Sequence, residues 1–254
     1  MTKLDLTGGH VFVAGGSRGI GAAAAKLAAA SSASVSLSYR NDRAAADRLV
    51  EQIQSVGGKT LAVQAEISEA ASIDAAVDEA VSRLGPLTGM VISAGIFEGC
   101  MLEAMTPEFW DRTMAINVRG TFLAVRAAAR HMRASGKPGS IVIYTSTAGQ
   151  RGSAEYSAYA TSKGAQIMFM RSMAKELAPD RIRVNCIAPA WTDTDMAAPS
   201  LDALGREDVA ADFPLGRIGV PDDVAGATCF LLSDLSAFIT GSTITVDGGM
   251  DMRG

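Results

Sequence analysis

Short apolar runs alternate with longer alanine-rich or amphipathic stretches along most of the chain. Several runs are continuously apolar, as at residues 11–13 (Val-Phe-Val) and 141–143 (Ile-Val-Ile), with no polar residue inside the run. Strands of this kind are typical of parallel sheets, in which helices cover both faces. The repeated strand–helix order therefore predicts an α/β protein with about seven parallel strands and helices on both sides of the sheet.

The boundaries of these elements follow from where the β-branched runs and the helical periodicity begin and end. We predict strands near residues 10–14, 34–39, 60–65, 88–93, 140–145, 182–188 and 242–246. We predict helices near residues 19–30, 42–56, 70–84, 106–135, 156–178 and 221–233. The chain has 254 residues, 48% of them hydrophobic, and no flexible linker, so we expect one domain over residues 1–254.

Residues 189–217 differ from this pattern, because they carry three prolines around a short helical stretch. A long irregular segment in a compact domain is often a lid or substrate loop. We therefore predict a substrate loop or lid at residues 189–217. An ordinary surface excursion is the alternative.

A glycine-rich loop follows the first predicted strand. Residues 14–21 read Ala-Gly-Gly-Ser-Arg-Gly-Ile-Gly, so that Gly15, Gly19 and Gly21 precede an alanine-rich helix. Glycines at such a junction allow a tight turn and a close approach of the backbone to a pyrophosphate, whose charge the helix N-terminus favours. Such a loop can be an ordinary turn, but its place in an α/β chain predicts a dinucleotide site.

The end of the second predicted strand indicates which dinucleotide binds. That strand ends in Tyr39 and Arg40, with no acidic residue where an NAD site would hold the ribose 2′-hydroxyl. The guanidinium of Arg40 is suited to a 2′-phosphate, and Arg18 of the glycine loop is placed to assist it. We therefore predict NADP(H) as the cofactor. The alternative is that both arginines are merely solvated.

A tyrosine and a lysine are spaced for acid–base chemistry. Tyr159 and Lys163 are four residues apart, on one face of a predicted helix, and Ser146 precedes them by thirteen residues. Tyrosine keeps its proton until about pH 10, and a nearby ammonium favours the phenolate. The arrangement suits proton exchange with an alcohol or ketone oxygen. A tyrosine and lysine at this spacing can also be an ordinary exposed pair.

In this order, the glycine loop, Ser146, Tyr159 and Lys163 resemble the short-chain dehydrogenase/reductase family, and the resemblance covers nearly the whole chain. Residues 65–67 (Ala-Glu-Ile) resemble the Asp-Val element that this family places beside the adenine. Asn117 matches the family's fourth catalytic residue. Residues 183–194 and 240–249 resemble the family's last two strands and the segment that closes over the nicotinamide.

The resemblance implies a single Rossmann-type, doubly wound domain and a nicotinamide-dependent oxidoreductase. The catalytic set that it implies is Asn117, Ser146, Tyr159 and Lys163. The cofactor-binding set that it implies is Gly15, Ser17, Arg18, Gly19, Ile20, Gly21, Tyr39, Arg40, Glu66, Ile67, Ser93, Ala94, Gly95, Tyr159, Lys163, Pro189, Ala190, Thr192 and Thr194. By the same resemblance, Tyr159 exchanges the proton, Ser146 holds the carbonyl, Lys163 lowers the tyrosine pKa, and Asn117 fixes a water that links Lys163 to solvent.

Four positions depart from the family pattern. Ala14 replaces a threonine at the start of the glycine loop, and Ser93 replaces an asparagine whose amide braces the central strands. Ala190 replaces a glycine near the nicotinamide, and Glu66 is one methylene longer than the usual aspartate. We expect these changes to affect cofactor affinity and local stability more than the chemistry.

Composition argues against several other classes of protein. The formal net charge is −4, which argues against a nucleic-acid-binding surface. The three cysteines and two histidines lack metal-ligand or Ser-His-Asp arrangements, so we expect reduced thiols and no metal site. The opening six residues lack an apolar signal core, and no stretch reaches the roughly eighteen apolar residues of a membrane span. We therefore expect a cytoplasmic protein without a membrane partner.

The predicted helix at residues 156–178 is apolar on more than one face between residues 165 and 173. Such a helix is buried on all sides, in a core or against another chain. The family resemblance implies a homotetramer in which the helices at residues 106–135 and 156–178 pair between subunits, with the C-terminal strand making a second contact. Core burial without an oligomer is the alternative.

The substrate pocket is expected to draw on Ile96, Phe97, residues 147–152 and residues 190–217, which are mainly small or apolar. These side chains suit a modest carbonyl compound or secondary alcohol. The chain resembles 3-oxoacyl-thioester reductases and sugar dehydrogenases within the family. A reductase of 3-oxoacyl thioesters is our leading interpretation. The alternatives are a dehydrogenase of a sugar, cyclic or other small secondary alcohol, and a non-catalytic NADP(H)-binding sensor.

The leading interpretation predicts docking of an acyl carrier protein, which is acidic. Arg126, Arg130, Arg133 and Lys137 form a basic run at about helical spacing that is suited to such a partner. An ordinary solvated helix face is the alternative for this run.

Overall fold

Seven strands lie side by side in one sheet in the computed structural model, which describes residues 4–251. Residues 1–3 and 252–254 lie outside the described part. The first three belong to the opening segment that we expect to lack a signal core. The strands are β1 (His10–Ala14), β2 (Ser34–Tyr39), β3 (Thr60–Gln64), β4 (Gly89–Ile92), β5 (Gly139–Tyr144), β6 (Ile182–Pro189) and β7 (Thr243–Val246). All neighbouring strands pair in parallel, in the order β3-β2-β1-β4-β5-β6-β7.

Helices connect these strands. They are α1 (Gly19–Ala30), α2 (Arg43–Ser55), α3 (Ala70–Leu84), α4 (Pro107–Met114), α5 (Gly120–Ser135), α6 (Ala148–Arg151), α7 (Ser157–Leu177), α8 (Ala198–Leu204), α9 (Arg206–Ala211) and α10 (Pro221–Leu232). The predicted seven-stranded α/β fold is confirmed, and most predicted boundaries lie within one residue of the observed ones.

Two apolar cores lie on opposite faces of the sheet. Alternate residues of β1 divide between them, with Phe12 and Ala14 in one core and Val11 and Val13 in the other. The helices α3, α5 and α7 cover the first face, and α1, α2 and α10 cover the second. Burial on both faces explains the apolar runs in strands such as β1, β4 and β5.

The strand order reverses between β1 and β4, which lie at the centre of the sheet. Ligands of open α/β sheets bind in the crevice beyond the carboxyl ends of the strands at such a reversal. The glycine loop follows β1 at this edge, and residues 93–97 follow β4 beside it. The fold therefore brings the predicted cofactor loop and the segment expected in the substrate pocket to the same edge.

The continuous helix predicted for residues 106–135 is wrong in one respect. The five residues Ala115–Arg119 form a π-turn that separates α4 from α5. The wider turn leaves the Asn117 carbonyl oxygen to accept hydrogen bonds from the Thr121 hydroxyl, at 2.7 Å, and from the Gln166 amide, at 2.8 Å. Insertions of this kind are frequent at functional sites, and apolar periodicity alone does not reveal them.

The segment predicted to be irregular contains more helix than expected. Two short helices, α8 and α9, occupy much of residues 189–217, and Leu201, Val209 and Phe213 form a small core of their own. Trp191 packs against this core. The segment is therefore held by its own apolar contacts as well as by its two ends.

Candidate active site

The glycine loop turns sharply between β1 and α1. Gly15 and Gly19 have φ angles of +75° and +54°, in the left-handed region where glycine is favoured. A Cβ atom on Gly21 would lie 2.4 Å from the carbonyl oxygen of Gly15, and one on Gly15 would lie 2.7 Å from the Cα of Ala94. Glycine is thus required here both for backbone conformation and for close packing of the loop on the end of β4.

The start of α1 is suited to an anionic group. Its N-cap is Arg18, whose side chain makes no capping hydrogen bond, and its first turn contains no acidic residue. The N-terminal amides of a helix carry a partial positive charge and commonly bind phosphate. A narrow glycine turn that leads into an uncapped helix fits the pyrophosphate of a dinucleotide. Ser17 and Ile20 lie in the same turn, half-buried.

The two arginines predicted to hold a 2′-phosphate both face carboxylates. Arg40 Nε lies 2.7 Å from Glu66 Oε2, and Arg18 lies 3.7 Å from Asp195. All four side chains are at least partly exposed, so these ion pairs contribute little stability. A phosphate bound at this position would therefore compete with carboxylates for both guanidinium groups.

The remaining predicted cofactor residues lie around the same crevice edge. Tyr39, the last residue of β2, is buried, and so is Ile67 in the turn that follows β3. Ser93, Ala94 and Gly95 are half-buried after β4. On the far side, Pro189 ends β6, and Ala190, Thr192 and Thr194 follow it. A Cβ atom on Gly19 would meet Thr194 Cγ2 at 3.3 Å, so the two sides of the crevice approach each other at the glycine loop.

Tyr159 and Lys163 lie on the first turns of α7. The Lys163 ammonium donates a hydrogen bond to the Tyr144 carbonyl oxygen at the end of β5, over 2.9 Å, and lies 5.6 Å from the centroid of the Tyr159 ring. The Lys163 side chain is 7% exposed, whereas Tyr159 keeps part of its surface accessible. The residues brought together are those expected for proton exchange.

Burial controls the acidity of both groups. It raises the pKa of the Tyr159 phenol to about 12, although the nearby Ser146 hydroxyl acts in the opposite direction. It lowers the pKa of the Lys163 ammonium to about 8. The raised pKa of Tyr159 follows from desolvation, which disfavours the charged phenolate. Tyr159 holds its proton at neutral pH.

Asn117 is a fully engaged brace between three segments. Its Oδ1 accepts a hydrogen bond from the Ile96 amide, at 2.9 Å, and its Nδ2 donates to the Ile96 carbonyl oxygen and to the Ser162 hydroxyl, both at 3.0 Å. Ser162 in turn donates to the Tyr159 carbonyl oxygen at 2.7 Å. The chain of bonds links the segment after β4, the π-turn and α7.

The hydrogen bonds of Asn117 give this residue a bracing role in the structure. Both amide protons are donated to protein groups, and the Asn117 main-chain oxygen already accepts from Thr121 and Gln166. These polar atoms of Asn117 therefore all have protein partners. Ser162 and Gln166 had not been singled out from the sequence. They lie one residue before and three residues after Lys163 on α7, and this helical offset from the catalytic pair was the available signal.

An aromatic cluster adjoins the proton donor. Phe97 stacks on Tyr156 with ring centroids 4.5 Å apart, and meets Tyr159 edge-on at 4.8 Å. Trp191, from the segment 190–217 expected in the substrate pocket, contacts Phe97 edge-on at 5.7 Å. The Tyr156 hydroxyl lies 3.2 Å from the Ser200 hydroxyl on α8. The pocket expected around Phe97 is thus aromatic on several sides.

The basic run on α5 is paired within the chain. Arg126 lies 2.9 Å from Asp74, Arg130 lies 2.5 Å from Asp78, and Arg133 lies 2.7 Å from Asp180. The first two carboxylates belong to the neighbouring helix α3. Three of the four cations proposed to attract an acidic carrier protein therefore have acidic neighbours, which reduces the positive potential of this surface. Lys137 lies beyond the end of α5.

Residues 4–251 contain neither a metal-binding cluster nor a membrane-spanning helix. No group of three or more histidine, cysteine or acidic side chains within that range is arranged to hold a metal ion. No helix in the same range is both long and apolar enough to cross a membrane.

The chain is similar to known oxidoreductases along nearly its whole length. A family model described as enoyl-(acyl carrier protein) reductase matches residues 14–251. The chain is 36% identical over 248 residues to a 3-oxoacyl-[acyl-carrier-protein] reductase of Synechocystis sp., covering 97% of this chain and 98% of that protein. It is 35% identical over 250 residues to glucose 1-dehydrogenase 2 of Bacillus subtilis, covering 98% of this chain and 96% of that protein.

A solved structure gives the same result. The crystal structure of a short-chain type dehydrogenase/reductase from Mycobacterium marinum superposes with a TM-score of 0.93 at 32% sequence identity, covering 98% of each chain.

Proposed function

The chain belongs to the short-chain dehydrogenase/reductase family, and from this premise we propose that it is an NADP(H)-dependent oxidoreductase of ketones and secondary alcohols. The observation that carries the proposal is the meeting of Tyr159, Lys163 and Ser146 beside the glycine turn, at the carboxyl edge of the sheet. A proton donor next to a dinucleotide cradle is what reduction of a carbonyl group requires.

Each catalytic side chain has a separate task. When bound, NADPH supplies the hydride that the carbonyl carbon accepts. Tyr159, protonated at neutral pH because burial raises its pKa to about 12, donates its proton to the carbonyl oxygen. Ser146 orients that oxygen by hydrogen bonding, and Lys163 provides a positive charge beside the phenol. Asn117 keeps α7 in position relative to the segment after β4.

The cofactor proposal rests on the glycine turn and on the two arginines. Gly15, Gly19 and Gly21 admit the pyrophosphate at the start of α1. Arg18 and Arg40 supply the guanidinium groups for a 2′-phosphate, in place of the acidic residue that favours NAD(H). Binding of NADP(H) would replace the contacts that these arginines make with acidic side chains.

The substrate is either a 3-oxoacyl thioester or a sugar, cyclic or other small secondary alcohol. Likeness to the Synechocystis reductase supports the first class, and likeness to the Bacillus dehydrogenase supports the second. The internal pairing of the α5 arginines weakens the argument for a carrier protein docking there. A non-catalytic sensor would not need the complete proton-transfer set, so an enzyme is the better supported proposal.

We also propose a homotetramer. The outer surfaces of α5 and α7 expose Phe122 and Met168, at 43% and 58%, and β7 is an edge strand. Unpaired edges and apolar helix faces are commonly covered by symmetric association.

We propose one domain over residues 1–254, with residues 189–217 acting as its substrate loop. The three unpaired cysteines are compatible with a reducing, cytoplasmic location.

The test is the initial rate of NADPH oxidation with acetoacetyl thioester, compared between the wild type and Tyr159→Phe. We expect tyrosine-dependent turnover, with loss of most activity in the variant and unchanged NADPH binding by fluorescence titration. Turnover in Tyr159→Phe equal to that of the wild type would refute the proton-transfer assignment. No turnover of the thioester, with NADPH binding intact, would favour the second substrate class.

A further inference from the structure

The aromatic cluster defined by Phe97, Tyr156, Trp191 and the proton donor Tyr159 comes from three separate segments of the chain. Phe97 follows β4, the two tyrosines lie at the start of α7, and Trp191 follows β6. One ring contact is parallel, with an interplanar angle of 1°, and two are nearly perpendicular, at 76° and 86°. Such contacts are the geometries that aromatic pairs prefer, so the cluster holds its rings in defined orientations.

None of these four rings is fully buried. Apolar surface that remains accessible in a concave site is commonly covered by a ligand. The Phe97 and Tyr159 ring centroids are only 4.8 Å apart. A carbonyl group whose oxygen receives the Tyr159 proton must therefore place one of its substituents beside the cluster.

Two polar groups next to the cluster already have partners. Glu98, which follows Phe97, accepts a hydrogen bond from Arg112 at 3.1 Å. The Tyr156 hydroxyl is paired with Ser200. A polyhydroxylated substrate would lose water here without gaining equivalent partners, which is unfavourable. The cluster is thus a better match for an apolar group than for a sugar.

Rigidity distinguishes a flat ring from an acyl chain. A flexible chain loses rotational freedom when it is held against a fixed surface, whereas a fused ring does not. Exposed apolar side chains continue along the two segments that carry Phe97 and Trp191, namely Met101, Leu102 and Met196, with exposures of 55%, 77% and 51%. The same two segments therefore carry further exposed apolar side chains.

We propose that the substrate of this site is a ketone fused to or carrying an aromatic ring, or the corresponding secondary alcohol. The inference rests on the proposed function and specifies its substrate class. In the reductive direction, the ketone carbon accepts a hydride from NADPH, which becomes NADP⁺, and the ketone oxygen accepts the Tyr159 proton. Phe97 is the specificity-determining residue, because it contacts the other three rings.

A matched pair of ketones tests the proposal. The compounds 2-tetralone and 2-decalone share one bicyclic carbon skeleton and an unconjugated carbonyl group, but only the first has an aromatic ring. We expect kcat/KM for NADPH-dependent reduction to be on the order of tenfold higher for 2-tetralone, because ring contacts contribute beyond the apolar area that they bury. Equal values for the two ketones would overturn the proposal.

A second comparison locates the preference at Phe97. Phe97→Leu keeps an apolar side chain but removes the ring, so we expect the ratio of kcat/KM for 2-tetralone to kcat/KM for 2-decalone to fall to near unity. Phe238→Leu is the matched control, because Phe238 is fully exposed, and this variant should keep the wild-type preference. An unchanged preference in Phe97→Leu would overturn the assignment of Phe97.

A binding measurement distinguishes a failure of this inference from a failure of the proposed function. Calorimetric titration with 2-naphthol in the presence of NADP⁺ measures recognition of the ring without turnover, and we expect about tenfold weaker binding to Phe97→Leu. If no ketone supports NADPH oxidation but this difference is found, the proposed reaction fails and the aromatic site stands. If ketones are reduced but 2-naphthol binds both proteins equally, the reaction stands and the aromatic site fails.

Discussion

Replacement of Gly21 by alanine should destabilise the crevice edge and weaken cofactor binding together. The new Cβ would lie 2.4 Å from the Gly15 carbonyl oxygen and 2.9 Å from the Ser93 hydroxyl. The first of these atoms belongs to the backbone of the turn, so it can move only if α1 separates from the end of β1. Overpacking of this kind typically costs about 1–3 kcal/mol, whereas glycine to alanine inside a helix otherwise gains about 0.5–1 kcal/mol.

The expected net effect of Gly21→Ala is therefore a loss of about 1–2 kcal/mol in the free energy of unfolding. Gly226→Ala is the matched control, because Gly226 lies inside α10 with no atom within 4 Å of its added Cβ. That variant should gain about 0.5–1 kcal/mol. The two single-methyl substitutions should thus shift the urea unfolding midpoint in opposite directions, at equal protein concentration.

Cofactor affinity provides the second measurement. If α1 moves away from the turn, its N-terminal amides no longer converge on the pyrophosphate, and we expect the NADPH dissociation constant of Gly21→Ala to rise by about tenfold or more, equivalent to about 1.4 kcal/mol. Gly226→Ala should bind NADPH as the wild type does. Wild-type NADPH affinity in Gly21→Ala, with an unfolding midpoint raised like that of the control, would refute the steric argument.

Three other substitutions test the site. Asn117→Asp replaces the hydrogen bond donated to the Ile96 carbonyl oxygen by a repulsive contact and removes the donor to the Ser162 hydroxyl, and it should lower the free energy of unfolding by about 2–3 kcal/mol in urea titrations at neutral pH. Arg40→Asp should weaken NADPH binding selectively and so reduce the NADPH/NADH ratio of kcat/KM. Lys163→Met removes a group that the folded protein deprotonates near pH 8 and the unfolded chain near pH 10.5. Because the unfolded chain binds more protons between these values, wild-type stability relative to this variant should rise with pH by up to about 1.4 kcal/mol per pH unit.

For each of these three predictions, one outcome would contradict the reasoning. An Asn117→Asp protein as stable as the wild type would show that its amide does not brace the three segments. Unchanged discrimination between NADPH and NADH in Arg40→Asp would refute the 2′-phosphate assignment. A stability difference between the wild type and Lys163→Met that stays constant from pH 8 to pH 10 would contradict the lowered pKa of the buried ammonium.

The sheet was predictable from the sequence because its strands are short, apolar and separated by helices of ordinary length. Burial on both faces leaves a strong pattern, and the strand boundaries differ from the predicted ones by about one residue. The π-turn at residues 115–119 was not predictable, because it inserts one residue per turn without changing the apolar character of the helix. The Asn117 carbonyl oxygen in this turn accepts hydrogen bonds from the nearby Thr121 hydroxyl and from Gln166 of α7, and the second of these contacts depends on the tertiary fold.

Motif spacing predicted which residues belong to the site, but it did not predict most of the interactions that these residues make. The sequence places Tyr159 and Lys163 on one helical face, but it contains no information on how much water surrounds them. Burial by surrounding segments decides the direction of both pKa values. The same limit applies to the basic run on α5, whose acidic neighbours Asp74, Asp78 and Asp180 lie about fifty residues away in the sequence.

Position 93, where serine stands in place of the family's asparagine, is joined to the end of β1 by backbone hydrogen bonds. The sequence predicted weaker bracing of the central strands, because serine lacks the amide. In the structure, the amides of Ser93 and Ala94 both donate to the Ala14 carbonyl oxygen, each at 2.9 Å, and so join the end of β4 to the end of β1. The small Ser93 hydroxyl lies only 2.9 Å from where a Gly21 Cβ would be. A larger side chain at position 93 would approach α1 still more closely, so serine here and glycine at 21 are best understood as one steric arrangement at the edge of the crevice.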